Sequence, residues 1–202
     1  SWVAKGSATQ TETIPAPRGK VVGGTSAING QVLLRGVPED YDGWAAEGND
    51  EWSYINVLPH FRNMEMDMDI RDFHGTNGPI PVRRFPRNEW LPFQNAFYQA
   101  SMDAGYPAAE DMNNPDSTGV GPIPMNNPEG VRMSTALTYL NPQRHRLNLT
   151  IRAGVMVHRI LFEGNRATGV RMESGGEVFD IKAEQIVLSA GAMASPQILM
   201  LS

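Results

Sequence analysis

The sequence predicts a mixed α/β fold, and three observations carry that prediction. Between residues 38 and 140 apolar side chains recur at helical spacing, and from Leu149 the chain changes to short β-rich runs punctuated by glycine turns. Ahead of both lies a basic, glycine-rich turn, Pro17-Arg18-Gly19-Lys20-Val21-Val22-Gly23-Gly24-Thr25-Ser26-Ala27-Ile28-Asn29-Gly30, around which the rest of the chain reads as walls.

Residues 1–17 are polar and without sustained period, which predicts an extended lead-in. Pro38-Glu39-Asp40-Tyr41 opens a helix on acidic residues, and Trp52, Ile55 and Leu58 or Pro59 mark a second helix whose aromatics belong to a core. Met64, Met66 and Met68 alternate with Glu65, Asp67 and Asp69. That pattern fits a strand or the fray after a helix; the fray is preferred, with the methionines as core filling. Phe73 to Pro79 is turn chemistry before a strand from Ile80 to Arg84.

Leu91, Phe93, Phe97, Tyr98 and Met102 share one helix face, and Gly105 closes that helix. Residues 111–130, rich in Asn, Pro, Gly and Asp, form a long loop of the kind that is functional or disordered. A helix from Arg132 to Leu140 follows, ended by Asn141-Pro142. Strands are expected at 149–152, 155–162, 167–172, 178–183 and 185–189. In the last of these, the unbroken apolar Ile186-Val187-Leu188 suits a strand covered on both faces. Ser195-Pro196 then starts a short helix.

The chemistry concentrates in the first turn. Two adjacent glycines permit positive φ and leave no Cβ in the way of a flat or anionic ligand, while Thr25 and Ser26 could cap a following helix and present its free N–H groups. A nucleotide-like cofactor fits that physics. So does an ordinary glycine turn between strand and helix. A nucleoside triphosphate loop is excluded, because Lys20 precedes the glycines instead of following them.

Composition narrows the partners. Of 202 residues, 41% are hydrophobic and 19% charged, enough to bury a core, and 22 acidic against 17 basic residues give a net charge of -5 with no basic block. A nucleic-acid surface is thereby disfavoured. With no cysteine there is no disulfide, thiolate or zinc-cluster chemistry, and the cytoplasm is favoured as compartment, with membrane association left open. No apolar run is long enough for a transmembrane helix. Asn148-Leu149-Thr150 fits a glycosylation sequon and is taken as coincidence. The four histidines are not clustered as metal ligands, and His74 in its glycine turn reads as a turn hydrogen-bonder.

Five ordered pieces resemble the glucose-methanol-choline (GMC) oxidoreductase family, in its choline-dehydrogenase-like and alcohol-dehydrogenase-like branch. They are Arg18 to Asn29 with Arg35-Gly36 and Asp40-Tyr41; His74-Gly75 with Gly78-Pro79; Arg132 with Ser134, Ala136, Tyr139 and Leu140; Asn148 to Thr150 running into Arg159 to Gly164; and Ser189 to Ala192 through Ser195 to Leu199. The resemblance implies an FAD-binding Rossmann-type domain, incomplete here, joined to part of a substrate domain. It divides the chain into residues 1–36 (flavin loop), 37–147 (substrate-domain or cap portion) and 148–202 (FAD-binding meander and buried strand).

It further implies oxidation of a small-molecule alcohol at a CH–OH group by hydride transfer to noncovalent FAD, with an unspecified electron acceptor. The positions that match the family's cofactor contacts are Val21, Gly23, Gly24, Thr25, Asn29, Gly30, Gln31, Val32, Val157, Ala190 and Gly191. Ile28 stands where some members carry a histidine joined covalently to the flavin, which implies dissociable cofactor; Leu33 departs from the aromatic or alanine usual there. The family's Gly-x-Gly-x-x-Gly turn and its catalytic histidine match nothing in residues 1–202, so no catalytic residue is assigned and the segment alone is expected to be inactive. A flavin-containing lyase and a noncatalytic FAD-binding module are the alternatives.

Overall fold

The computed structural model describes residues 2–9 and 12–202, with side chains described from residue 15 onward. The architecture is mixed α/β. By contact the chain divides into two compact units, Ser1–Arg146 and Leu147–Ser202.

The first unit opens with β1 (Trp2–Thr9) and β2 (Glu12–Arg18), an antiparallel hairpin pairing Trp2 with Arg18. This corrects the expected extended lead-in. Pro15 and Pro17 disguise β2 in the sequence, yet each strand of a two-stranded ribbon has an open edge where a missing N–H costs no ladder bond. The glycine turn follows, and then α1 (Pro38–Ala46), begun by Pro38 in its first turn and by the Asp40 carboxylate accepting from Val37 N at 3.3 Å.

After a short 3-10 turn, α2 (Tyr54–Met64) runs into β3 (Glu65–Asp67), which pairs parallel with β4 (Ile80–Val82). The crossover between them rests on two glycines. A Cβ on Gly75 would lie 1.7 Å from Arg62 O, and one on Gly78 would lie 2.4 Å from Glu65 N, so only glycine lets this turn sit against the α2–β3 junction. Within the alternation at 64–69 the middle three residues, Glu65–Asp67, form a strand and not fray, and the polarity is reversed: Glu65 and Asp67 are buried while Met66 is exposed. Charge pairing, described below, overrides the hydrophobic pattern.

Further helices are α3 (Pro92–Asp103) and, past the loop 111–130, a π-helical turn (Ala136–Leu140) that continues into α4 (Asn141–Gln143). Asn141-Pro142 thus does not end the helix as expected. A π turn reroutes the carbonyl that a proline ring would strike. Ile80, Val82, Val57, Ala109 and Pro124 are among the buried apolar groups of this unit. Trp52 and Ile55 do not join them. Trp52 instead stacks edge-on against Trp44 in an exposed aromatic group with Tyr41, and the α3 face bearing Leu91, Phe93 and Phe97 is exposed as well.

The second unit is an antiparallel meander of β5 (Met156–Glu163), β6 (Arg166–Ser174) and β7 (Glu177–Lys182), turned at Gly164 and at Gly175-Gly176, all with positive φ. The helix α5 (Ala194–Met200) buries Ile198, and Ser202 Oγ accepts from Ile160 N of β5 at 2.8 Å. Two expected strands are absent. Residues 149–152 are irregular, and 185–189 pair with no described strand, leaving Val187 exposed. An apolar run becomes a strand only where a neighbour supplies its ladder.

Candidate cofactor-binding site

In the first unit the structure gathers Val21 to Thr25 and Asn29 to Val32 onto one loop. Gly24 N donates to Val21 O at 2.8 Å, closing a turn in which Gly23 and Gly24 both have positive φ (95° and 56°). Gly19 closes it from the other side: a Cβ there would lie 2.1 Å from Gly24 O. Thr25 and Ser26 do not cap a helix. They lie inside a four-residue 3-10 turn, Gly24–Ala27, where Thr25 Oγ1 accepts from Gly19 N at 3.3 Å and Ser26 Oγ donates to Gly23 O. Ser26 Oγ also accepts from Thr135 N at 3.0 Å, tying the turn to the segment that leads into the π turn.

Asn29 to Val32 are held just as firmly from behind. Arg132 Nη1 donates to both oxygens of Asn29, its backbone O and Oδ1. Gln31 adopts φ 65°, a conformation rare for a residue with a side chain, and is fixed on three sides. Its N donates to Asn29 Oδ1 at 3.1 Å, its O accepts from Asn126 N at 2.8 Å, and its Oε1 accepts from Asn127 Nδ2 at 2.8 Å. Val32 forms an isolated bridge with Met125. The long loop is therefore an anchoring element, which its Asn-rich composition did not reveal.

What the loop leaves uncovered is its front. Nothing lies within 4 Å of where a Cβ would stand on Gly24 or Gly30, and Val21, Thr25, Asn29 and Val32 are exposed. A rigid turn with open glycine main chain is a fitting cradle for the flat ring and diphosphate of a dinucleotide.

Three candidate residues lie in the second unit. Val157 is in β5, opposite Met172 and beside a bulge, with His158 Nε2 3.0 Å from Glu173 Oε2. Ala190 N donates to Ser195 Oγ and Gly191 O accepts from Ser195 N, both at 3.0 Å, so Ser195 fixes the turn before α5; Gly191, at φ 92°, again has open space where a Cβ would be.

Behind the loop lies a cluster of buried charge. His74 Nδ1 meets Glu65 Oε1 at 2.8 Å and Asp67 Oδ2 at 3.0 Å, and its Nε2 meets Asp111 Oδ2 at 2.9 Å. Arg35 pairs with Glu65, and Arg84 bridges Asp67 at 2.9 Å and Asp111 at 2.7 Å. His74 is thus the centre of an ion network and not a turn hydrogen-bonder. Burial disfavours its charged form, but the hydrogen bonds to Asp111 and Glu65, with their charges, outweigh that and raise its pKa to about 9. Asp111 is the counterpart: burial would raise it, yet the bonds from His74 and Asn113 N and the charges of His74 and Arg84 bring it down to about 2. Among the described residues, no group of three His, Cys, Asp or Glu side chains is arranged to hold a metal ion.

A GMC oxidoreductase family model matches residues 4–202. This chain belongs to the GMC oxidoreductase family. It is 42% identical over 184 residues to a GMC-type oxidoreductase of Rhodococcus erythropolis (91% of this chain, 36% of that protein) and 40% identical over 194 residues to an oxygen-dependent choline dehydrogenase of Photobacterium profundum (95% and 34%). Among solved structures, it superposes on a pyridoxine 4-oxidase from Mesorbium loti with a TM-score of 0.92 at 32% identity, covering 98% of this chain and 40% of that one. An FAD-dependent oxidoreductase from Chaetomium thermophilum gives 0.88 at 29%, covering 95% and 36%. The chain spans about a third of the length of the curated relatives it matches. The cofactor of the GMC family is FAD. Among the described residues no helix is long and apolar enough to cross a membrane.

Proposed function

We propose that this chain is the cofactor-holding portion of an FAD-dependent oxidoreductase that oxidises a small alcohol at its CH–OH group. The observation that carries the reading is the braced loop with its open glycine front at Gly24 and Gly30, in a chain that belongs to a flavin-dependent family. Bound FAD supplies the hydride acceptor. Val21, Gly23, Gly24, Thr25, Asn29, Gly30, Gln31 and Val32 present main-chain groups to it, Val157 offers the adenine edge its backbone, and Ala190-Gly191 pass close to the nucleotide. Residues 1–36 and 148–202 then serve the cofactor and 37–147 the substrate side. Ile28 offers no nucleophile to the ring, so the cofactor is dissociable.

Neither His74 nor His158 acts as the base. His74 is engaged at both ring nitrogens by carboxylates and His158 faces Glu173. No residue of this chain is assigned the removal of the alcohol proton. The test is the visible spectrum of the full-length protein, recorded anaerobically before and after addition of alcohols such as choline or pyridoxine. Bleaching of a bound flavin is expected with at least one. Folded full-length protein that purifies and reconstitutes without flavin overturns the reading, while a flavin that no alcohol bleaches favours a lyase of the same family.

A further inference from the structure

The buried cluster is electrically closed. Glu65, Asp67 and Asp111 face Arg35, Arg84 and His74, so three carboxylates are balanced only if the imidazole is a cation. Geometry requires the same: both ring nitrogens point at carboxylate oxygens, and a neutral ring would set a lone pair against one of them. Asp69, through Arg84, and Arg71, whose Nη1 donates to Asp67 O at 2.8 Å, complete the charged groups around it.

A hydrogen-bonded line runs from this ring to the cofactor loop. Asp111 takes His74 Nε2 on Oδ2, and on Oδ1 it accepts from Asn113 N at 3.0 Å. Asn113 grips the far end of the loop like a clasp, accepting from Arg35 N through Oδ1 and donating to Leu33 O through Nδ2, both at 2.9 Å. Arg35 returns to the cluster, with Nη2 on Glu65 and Nη1 on Phe73 O. The loop end at Leu33 to Arg35 is therefore fastened to the ion cluster by backbone and side chain together, immediately after the strained Gln31.

We propose that His74 is a positioning residue for the cofactor, acting through Asp111 and Asn113 to hold the loop Asn29–Arg35 in its FAD-binding conformation. The inference rests on the FAD reading above. His74 touches neither cofactor nor substrate. Its contribution is to keep Asp111 oriented, so that Asn113 holds Leu33 and Arg35 and Gln31 stays in its positive-φ conformation.

The two ring nitrogens can be separated by substitution. In His74→Gln the amide nitrogen can occupy the Nε2 position and keep the donation to Asp111; in His74→Asn it can occupy the Nδ1 position, keeping Glu65 but losing Asp111. In the full-length protein the FAD dissociation constant is measured by flavin fluorescence and compared with the thermal midpoint of the apo form. The expectation is that His74→Asn weakens FAD at least tenfold, that His74→Gln stays within about threefold of the parent, and that Asn113→Ala weakens it at least fivefold but adds little in the His74→Asn background. Equal FAD affinity in parent and His74→Asn, equal losses in both His74 variants tracking a common fall in midpoint, or full additivity with Asn113→Ala overturns it. Should His74→Asn fail to fold, Asn113→Ala alone decides, and unchanged FAD affinity there overturns the inference. A flavin-free folded parent overturns both this inference and the FAD reading, whereas a flavin-loaded parent with any contrary result overturns this one alone.

Discussion

Single residues carry sharply different burdens in this loop. Gly19 and Gly24 are a few positions apart, yet a Cβ on Gly19 would collide with the Gly24 backbone, whereas one on Gly24 would meet open space and suffer only the cost of φ 56°. Gly19→Ala should therefore rebuild the turn and abolish flavin retention by the full-length protein. Gly24→Ala should cost about 1 kcal/mol of stability and lower FAD affinity through crowding of the open face, with cofactor content and thermal midpoint as the readouts. The charged pair His74–Asp111 predicts a pH window. His74, raised to about 9 from an unfolded value near 6.5, stabilises the folded form fully below that unfolded value and loses the effect as pH rises through about 9. Asp111, lowered to about 2 from 3.8, stabilises fully above its unfolded value and loses the effect as pH falls through about 2. Stability measured by denaturant should be greatest between about pH 4 and 6.5 as far as this pair decides it, and the decline on the alkaline side should vanish in His74→Gln.

Among elements, β3 shows most plainly what a sequence can hide. The alternation at 64–69 fits a strand as well as the fray preferred for it, and its phase misleads, because the methionines look like the inner face and the acids like the outer. The partners that reverse it are Arg35, His74 and Arg84, distant in sequence and separately unremarkable. That phase also fixes register. A slip of one residue would bury Met66 and expel Glu65 and Asp67, leaving the cations unpaired. Arg84→Met removes the shared partner of Asp67 and Asp111 and should cost about 3–5 kcal/mol, the usual penalty for orphaning a buried charge, measurable by urea unfolding. By contrast α1, α3 and the β5–β7 meander follow from their caps, glycine turns and periodicity, and the structure returns them with boundaries close to those expected.

For the molecule as a whole, the mixed α/β class and the glycine turn at 19–30 were legible because both are local: a turn needs its own glycines and a meander its own alternation. What was not legible is how the loop is held. Arg132, Asn113, Asn126 and Asn127 lie roughly eighty to a hundred residues beyond the segment they fasten, and nothing in a run of Asn, Pro and Gly distinguishes an anchor from a spacer. The same limit explains residues 185–189, whose apolar character predicted a covered strand although no described strand accompanies them. The reversed phase of β3 also has a chemical consequence. Because the acids take the inside, Met66 of β3 is exposed, as is Met68 just past the strand, while Met172 of β6 is buried, so sulfur oxidation is sorted by burial, which at Met66 follows strand phase. Brief exposure to dilute peroxide followed by peptide mass spectrometry should convert Met66 and Met68 to sulfoxide well ahead of Met172, with the ion cluster beneath them left untouched. The strand would carry its oxidisable atoms where their loss does the fold no harm.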